Sequence, residues 1–103
     1  MARLTLVAGS VIVLVTGVST SAQAATGTFF YNRADTGFRE SLGDPPDDTC
    51  LPMSGGAAIA DNFTDTTAVL YRDENCTIGQ DSLSPNESGV YGGATVPHSV
   101  MFG

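Results

Sequence analysis

Thr67-Ala68-Val69-Leu70-Tyr71-Arg72-Asp73-Glu74-Asn75-Cys76-Thr77-Ile78-Gly79 opens on a run of β-branched, aliphatic and aromatic residues and ends on a turn-forming glycine. Side chains of that kind fit a pleated, half-buried surface, so the run predicts a strand entering a hairpin. Thr28-Phe29-Phe30-Tyr31 earlier and Ser99-Val100-Met101-Phe102 at the end of the sequence have the same character. Turn formers separate them: Gly43-Asp44-Pro45-Pro46-Asp47-Asp48, Ser54-Gly55-Gly56, Ser84-Pro85-Asn86-Glu87-Ser88-Gly89 and Gly92-Gly93. Each glycine or proline costs roughly 1 to 3 kcal/mol inside a helix, so no long helix survives among them and the expected class is all-β.

The two halves of this region read alike. Phe30-Tyr31 matches Leu70-Tyr71 at a shift of 40, and Thr36 matches Thr77 and Leu42 matches Leu83 at a shift of 41. At that second shift Ala58-Ile59-Ala60-Asp61-Asn62 falls on Ser99-Val100-Met101-Phe102-Gly103. Each unit is then an aromatic-ended strand, a turn with Gly37 or Gly79, a strand ending at leucine, a polar excursion and a last apolar strand. Four strands with one long connection make a Greek key, and two keys packed face to face make a small sandwich.

Ahead of this region Arg3 precedes an uncharged apolar run from Leu4 to Val18, followed by Ser21-Ala22-Gln23-Ala24-Ala25. That is the pattern of a secretory signal peptide, a helix cut after Ala24, with small residues at Ala22 and Ala24. The run is shorter than the ~20 apolar residues a bilayer-spanning helix needs. The expected organisation is a signal peptide over 1–24 and one domain over 25–103, secreted and free of the membrane once the leader is removed. Eleven acids against three arginines, Arg33, Arg39 and Arg72, leave that domain at a net charge of −8 with no lysine. Such a surface repels phosphate backbones and anionic lipid, which excludes nucleic acids as partners. Cys50 and Cys76 are an even pair in an oxidising compartment, so a disulfide is the expectation. Only His98 could join them in a metal site, too few ligands for zinc.

The segment from Ala68 to Gly79, then Leu83-Ser84-Pro85 and the ending Pro97-His98-Ser99-Val100-Met101-Phe102-Gly103, resembles the βγ-crystallin-like family. Within it the chain is similar to the small secreted actinobacterial proteins of the Streptomyces metalloproteinase inhibitor and killer-toxin-like group, over about residues 27 to 103. The resemblance implies a folded-over hairpin in each unit: an aromatic begins it, a glycine takes a positive φ, and a serine ties it down. Tyr71, Gly79 and Ser99 hold those places in the second unit and Tyr31 and Gly37 in the first, where Ala58 replaces the serine. It also implies a search for calcium. Asp61-Asn62-Phe63-Thr64-Asp65-Thr66 begins like the family's oxygen-ligand motif, then sets Asp65 where a hydroxyl belongs, leaving Asp61, Asn62 and Asp65 as candidate ligands.

Catalytic constellations are thin. His98 and Ser99 are adjacent on one strand and point to opposite faces, so they cannot pair. Asp44, Asp47 and Asp48 could flank a cleft, yet they read better as a solvated, proline-held loop. Asn62-Phe63-Thr64, Asn75-Cys76-Thr77 and Asn86-Glu87-Ser88 are glycosylation sequons that carry weight only in a eukaryotic source. The expectation is a secreted, non-enzymatic binding module, needing no cofactor unless calcium, that inhibits an extracellular peptidase or acts as a toxin-like effector. Its candidate binding loop is Asp44-Pro45-Pro46-Asp47-Asp48, within the segment Gly43 to Met53 anchored at Cys50. The alternative is a calcium-binding structural or envelope-associated protein.

Overall fold

The computed structural model describes residues 23–103. The signal-peptide helix expected over 1–24 therefore lies, up to residue 22, outside the described residues. The described region is all-β, with eight strands: β1 Gly27–Arg33, β2 Arg39–Gly43, β3 Leu51–Pro52, β4 Ala57–Thr64, β5 Ala68–Tyr71, β6 Gly79–Leu83, β7 Glu87–Val90 and β8 Ser99–Phe102. A single 3₁₀ turn, Gly93–Thr95, precedes β8.

Two four-stranded antiparallel sheets form, in the orders β2-β1-β4-β7 and β6-β5-β8-β3. Each sheet takes the first, second and fourth strands of its own half and the third strand of the other. Apolar alternation decides which side of each sheet turns inward. Phe29 and Tyr31 of β1 and Ala57 and Ala60 of β4 face Ala68 and Leu70 of β5, Leu83 of β6 and Val100 and Phe102 of β8, all buried. Phe29 and Phe102 meet edge to face across the sandwich, with ring centroids 5.3 Å apart. That arrangement suits the ring quadrupoles, and the two rings are among the largest fully buried side chains.

Backbone bonds recur between the halves. Arg33 N–H donates to Phe38 C=O and Arg72 N–H to Ile78 C=O, each at 2.8 Å, and Met53 N–H to His98 C=O parallels Tyr91 N–H to Ala58 C=O, also 2.8 Å. Leu42 and Leu83 occupy equivalent places, opposite Phe29 and Ala68. The tyrosines do not. Tyr31 pairs with Ala60 and faces the core, whereas its counterpart is Leu70, which pairs with Val100; Tyr71 lies one residue further and faces outward, half-buried. The last strands likewise align Ala60 with Val100, so the place of Ser99 falls to Ile59, not Ala58. Unequal hairpin loops let the shift drift along each half, so the shifts of 40 for the first strands and 41 for the last each misplace them by one residue.

One strand arises where turn chemistry predominates. Ser84-Pro85-Asn86-Glu87-Ser88-Gly89 reads as a turn, yet Glu87–Val90 is β7, paired with β4 from Asn62↔Glu87 to Ile59↔Val90. It is an exposed edge strand, so no buried periodicity marks it in sequence. A Cβ at Gly89 would meet the ring and hydroxyl of Tyr91, so a larger residue there has to displace that side chain.

Candidate functional site

The loop Asp44 to Thr49 crosses one end of the sandwich between the two ends of the described chain. Its backbone is tied at almost every residue. Asp44 N–H donates to Gly27 C=O at 2.7 Å, while Gly27 N–H returns a 2.8 Å bond to Asp44 Oδ1. Ala25 N–H donates to Pro45 C=O at 2.8 Å, and Ala24 and Pro46 form an antiparallel bridge. Asp47 N–H reaches Gln23 C=O at 3.1 Å, and Asp48 N–H donates to Phe102 C=O at 2.8 Å. Thr49 Oγ1 closes the run on Asp47 C=O at 3.0 Å, and Cys50 is bridged to Cys76 with Cα atoms 5.9 Å apart, inside the span a disulfide allows.

Asp44 and Asp48 both sit in the left-handed region, at φ 44° and 54°. Aspartate tolerates that conformation better than most side chains, because its short polar group can bond to nearby backbone. Pro45 is buried and anchors the loop, whereas Pro46, Asp48 and Thr49 are exposed and Asp47 is half-buried. One Asp47 carboxylate oxygen is buried with no hydrogen-bond partner among the described residues.

The second hairpin tip packs against the same disulfide. Asp73 organises it: its carboxylate accepts the N–H groups of Asn75 (3.2 Å), Thr77 (3.0 Å) and Ile78 (2.9 Å) and the Thr77 hydroxyl (2.5 Å). The Thr77 hydroxyl bond, followed by the backbone donors, holds the Asp73 carboxyl well below the usual carboxylate range. Ser99 Oγ donates to Asp73 C=O at 2.6 Å and accepts the Cys76 N–H at 3.2 Å, joining the tip to β8. The glycine assignment is corrected here. Gly37 has φ 81°, but Gly79 is not in the positive-φ region; Cys76, at φ 56°, takes the left-handed turn of the second hairpin. The tip is one residue longer than its counterpart, which moves Gly79 into β6, opposite Tyr71.

His98 lies just ahead of β8, half-buried, with Nδ1 2.9 Å from Arg72 C=O. The candidate calcium ligands point in different directions. Asp61 is on the outer face of its sheet, paired with Arg39 at 2.7 Å and accepting the Ser88 hydroxyl at 2.5 Å; Ser88 and then Arg39 lower its pKa. Asn62 is fully buried: its amide nitrogen donates to Thr66 C=O (2.8 Å) and Leu83 C=O (2.9 Å), and its oxygen accepts from Thr64 N–H (3.1 Å) and Thr64 Oγ1 (2.7 Å). Asp65 accepts the Thr26 N–H at 2.9 Å. Among the described residues no three His, Cys, Asp or Glu side chains converge.

A surface that sequence reasoning missed is the outer face of the first sheet. Arg39 lies 4.6 Å from the Phe30 ring centroid, bonded to Asn32 and Asp61, with Phe63 edge to face on Phe30 at 6.0 Å. Phe38, Ile78 and Val90 are also exposed, at 71, 50 and 81%. Exposed apolar residues look no different in sequence from core ones until the register is known, so strand pairing is what sets Phe30, Phe63 and Val90 on the outer face, whereas Phe38 and Ile78 stand out in the hairpin tips.

These features define a disulfide-linked, two-sheet β sandwich with a strapped acidic loop at one end. The chain matches no family model, no curated protein and no solved structure.

Proposed function

We propose that the chain acts outside the cell as a binding module, an inhibitor of a secreted peptidase or a toxin-like effector, on a double Greek-key body of the βγ-crystallin-like kind. The observation that carries this reading is the loop Asp44 to Thr49, tied to Ala25, Gly27 and Phe102 and followed by the disulfide at Cys50, yet exposed at Pro46, Asp48 and Thr49. A loop already held in one conformation loses little entropy on binding, which is how a small rigid domain gains affinity for a cleft. The exchange of third strands between the halves supports the Greek-key reading, and a disulfide is at home in an oxidising compartment. The Asp48 carboxylate suits a partner site that is cationic or holds a zinc ion with an open position.

The test is hydrolysis of a peptide substrate by a panel of secreted metallo and serine peptidases, with the domain from residue 25 added. Slowed turnover by at least one member is expected, weakened at least tenfold by Asp48→Ala. Unchanged turnover across the panel overturns the reading. Calcium added during the same assays tests the envelope-associated alternative, for which a rise in melting temperature with the ion is the positive result.

A further inference from the structure

Folding ties down the bond that export would cut. Ser21-Ala22-Gln23-Ala24-Ala25 supplies the small residues of a processing site, and the residues on either side of its last peptide bond are built into the folded domain. Ala24 is bridged to Pro46, Gln23 C=O accepts the Asp47 N–H, and Ala25 N–H is spent on Pro45 C=O. Ala25 is 1% exposed and belongs to the same apolar cluster as Phe29 and Phe102. Just beyond, Thr26 N–H is held by Asp65 Oδ1 and Gly27 N–H by Asp44 Oδ1. Peptide-binding clefts take an extended segment by pairing with its main-chain groups and pocketing alternate side chains. Here the groups on either side of Ala24, Gln23 C=O and Ala25 N–H, are paired with the loop, and the first side chain after the bond is in the core.

We propose that Ala24–Ala25 is a processing bond that the fold itself closes, so that cleavage must come before folding. The inference rests on the export reading above. Cleavage adds water across the amide, leaving a carboxylate on Ala24 and an ammonium on Ala25. That ammonium nitrogen is the atom that donates to Pro45 C=O, so folding seats the new terminus against the loop and buries the Ala25 side chain, while Gln23, Ala24 and Thr26 stay exposed. Asp47 N–H, no longer facing Gln23, returns to water. A chain that folds early keeps its leader, because opening the site then requires peeling residues 23–27 from the loop; each 1.4 kcal/mol of such opening slows cleavage tenfold.

The experiment uses the full 103-residue chain. Denatured chain is diluted into detergent micelles containing a bacterial signal peptidase, added either at the moment of dilution or after refolding and disulfide closure, and intact mass is followed with time. Loss of residues 1–24 in the first sample, with at least tenfold slower loss in the second, is expected. A variant chain carries an additional Ser21–Ala25 segment upstream, separated by a Gly-Ser spacer; its refolded form should be cut there at the rate of the unfolded form. Equal rates at Ala24–Ala25 in both samples overturn the closure and leave export standing, as does resistance of the spaced site. No cleavage in any sample overturns export and the closure together.

Discussion

Asp73 shows how one side chain can decide a local fold. Four donors converge on its carboxylate, and the tip they shape presents the Cys76 N–H to Ser99. Because those donors favour the charged form, its contribution to stability is complete above the unfolded aspartate pKa of about 3.9 and is lost as pH falls through the lower folded value. Asp73→Asn should lower the melting temperature by several degrees at pH 6, and the gap to the parent chain should narrow below about pH 4, read by circular dichroism across a pH series. Asn62 is the other residue of this kind. Its amide joins β4, the linker after it and β6 of the opposite sheet from a fully buried position. Asn62→Ala takes their Asn62 partner from the Leu83 carbonyl and the Thr64 N–H, both buried, and should cost about 2 to 4 kcal/mol in urea unfolding, more than its loss of apolar contact alone. Nothing in Asp61-Asn62 distinguishes a ligand pair from a bridging amide; only knowing which strand face is inward does so.

Among the elements, the strands with apolar alternation were legible and the polar edge strand was not. Thr28–Tyr31, Thr67–Tyr71 and Ser99–Phe102 lie within or beside β1, β5 and β8, because burial of every second residue leaves a mark in composition. β7 leaves none, since its pairing with β4 rests on backbone groups that every residue carries. The same limit explains the misplaced glycine: loop length, not residue type, decides whether Gly79 stands in the turn or in β6. Two substitutions check that register. Gly79→Ala should change stability by less than ~0.5 kcal/mol, since a Cβ there meets nothing within 4 Å and its φ lies outside the left-handed region. Gly27→Ala should cost more than ~2 kcal/mol, because φ is 115° and the Cβ would stand 2.3 Å from Phe63 C=O. Equal effects of the two in chemical denaturation would contradict the hairpin assignment.

For the molecule as a whole, the all-β class was readable from the strand and turn formers, the two-sheet sandwich from the likeness of the two halves, and the Cys50–Cys76 disulfide from the even pair of cysteines. How residues 23–27 and Phe102 flank the loop was not, because that placement depends on the completed topology. The disulfide spans a sequence separation of 26 and links the loop to the second hairpin tip. In the chain-entropy account a loop of that length contributes about 3 to 4 kcal/mol. Reduction, or a Cys50→Ala/Cys76→Ala pair, should therefore shift the urea midpoint strongly downward and, because the unfolded chain is then free to expand, raise the unfolding slope.

The exchange of third strands also bears on ancestry and engineering. Neither half contains all the strands of the sheet it leads, so a chain holding only one of them has a vacancy that a second molecule of the same half can fill. Two such molecules would trade their third strands across a dyad, and Asp65–Thr67 is the short splice that turns that pair into a single polypeptide. Shortening the splice, so that β4 can no longer turn into β5 within one molecule, is the change that should favour an intertwined homodimer.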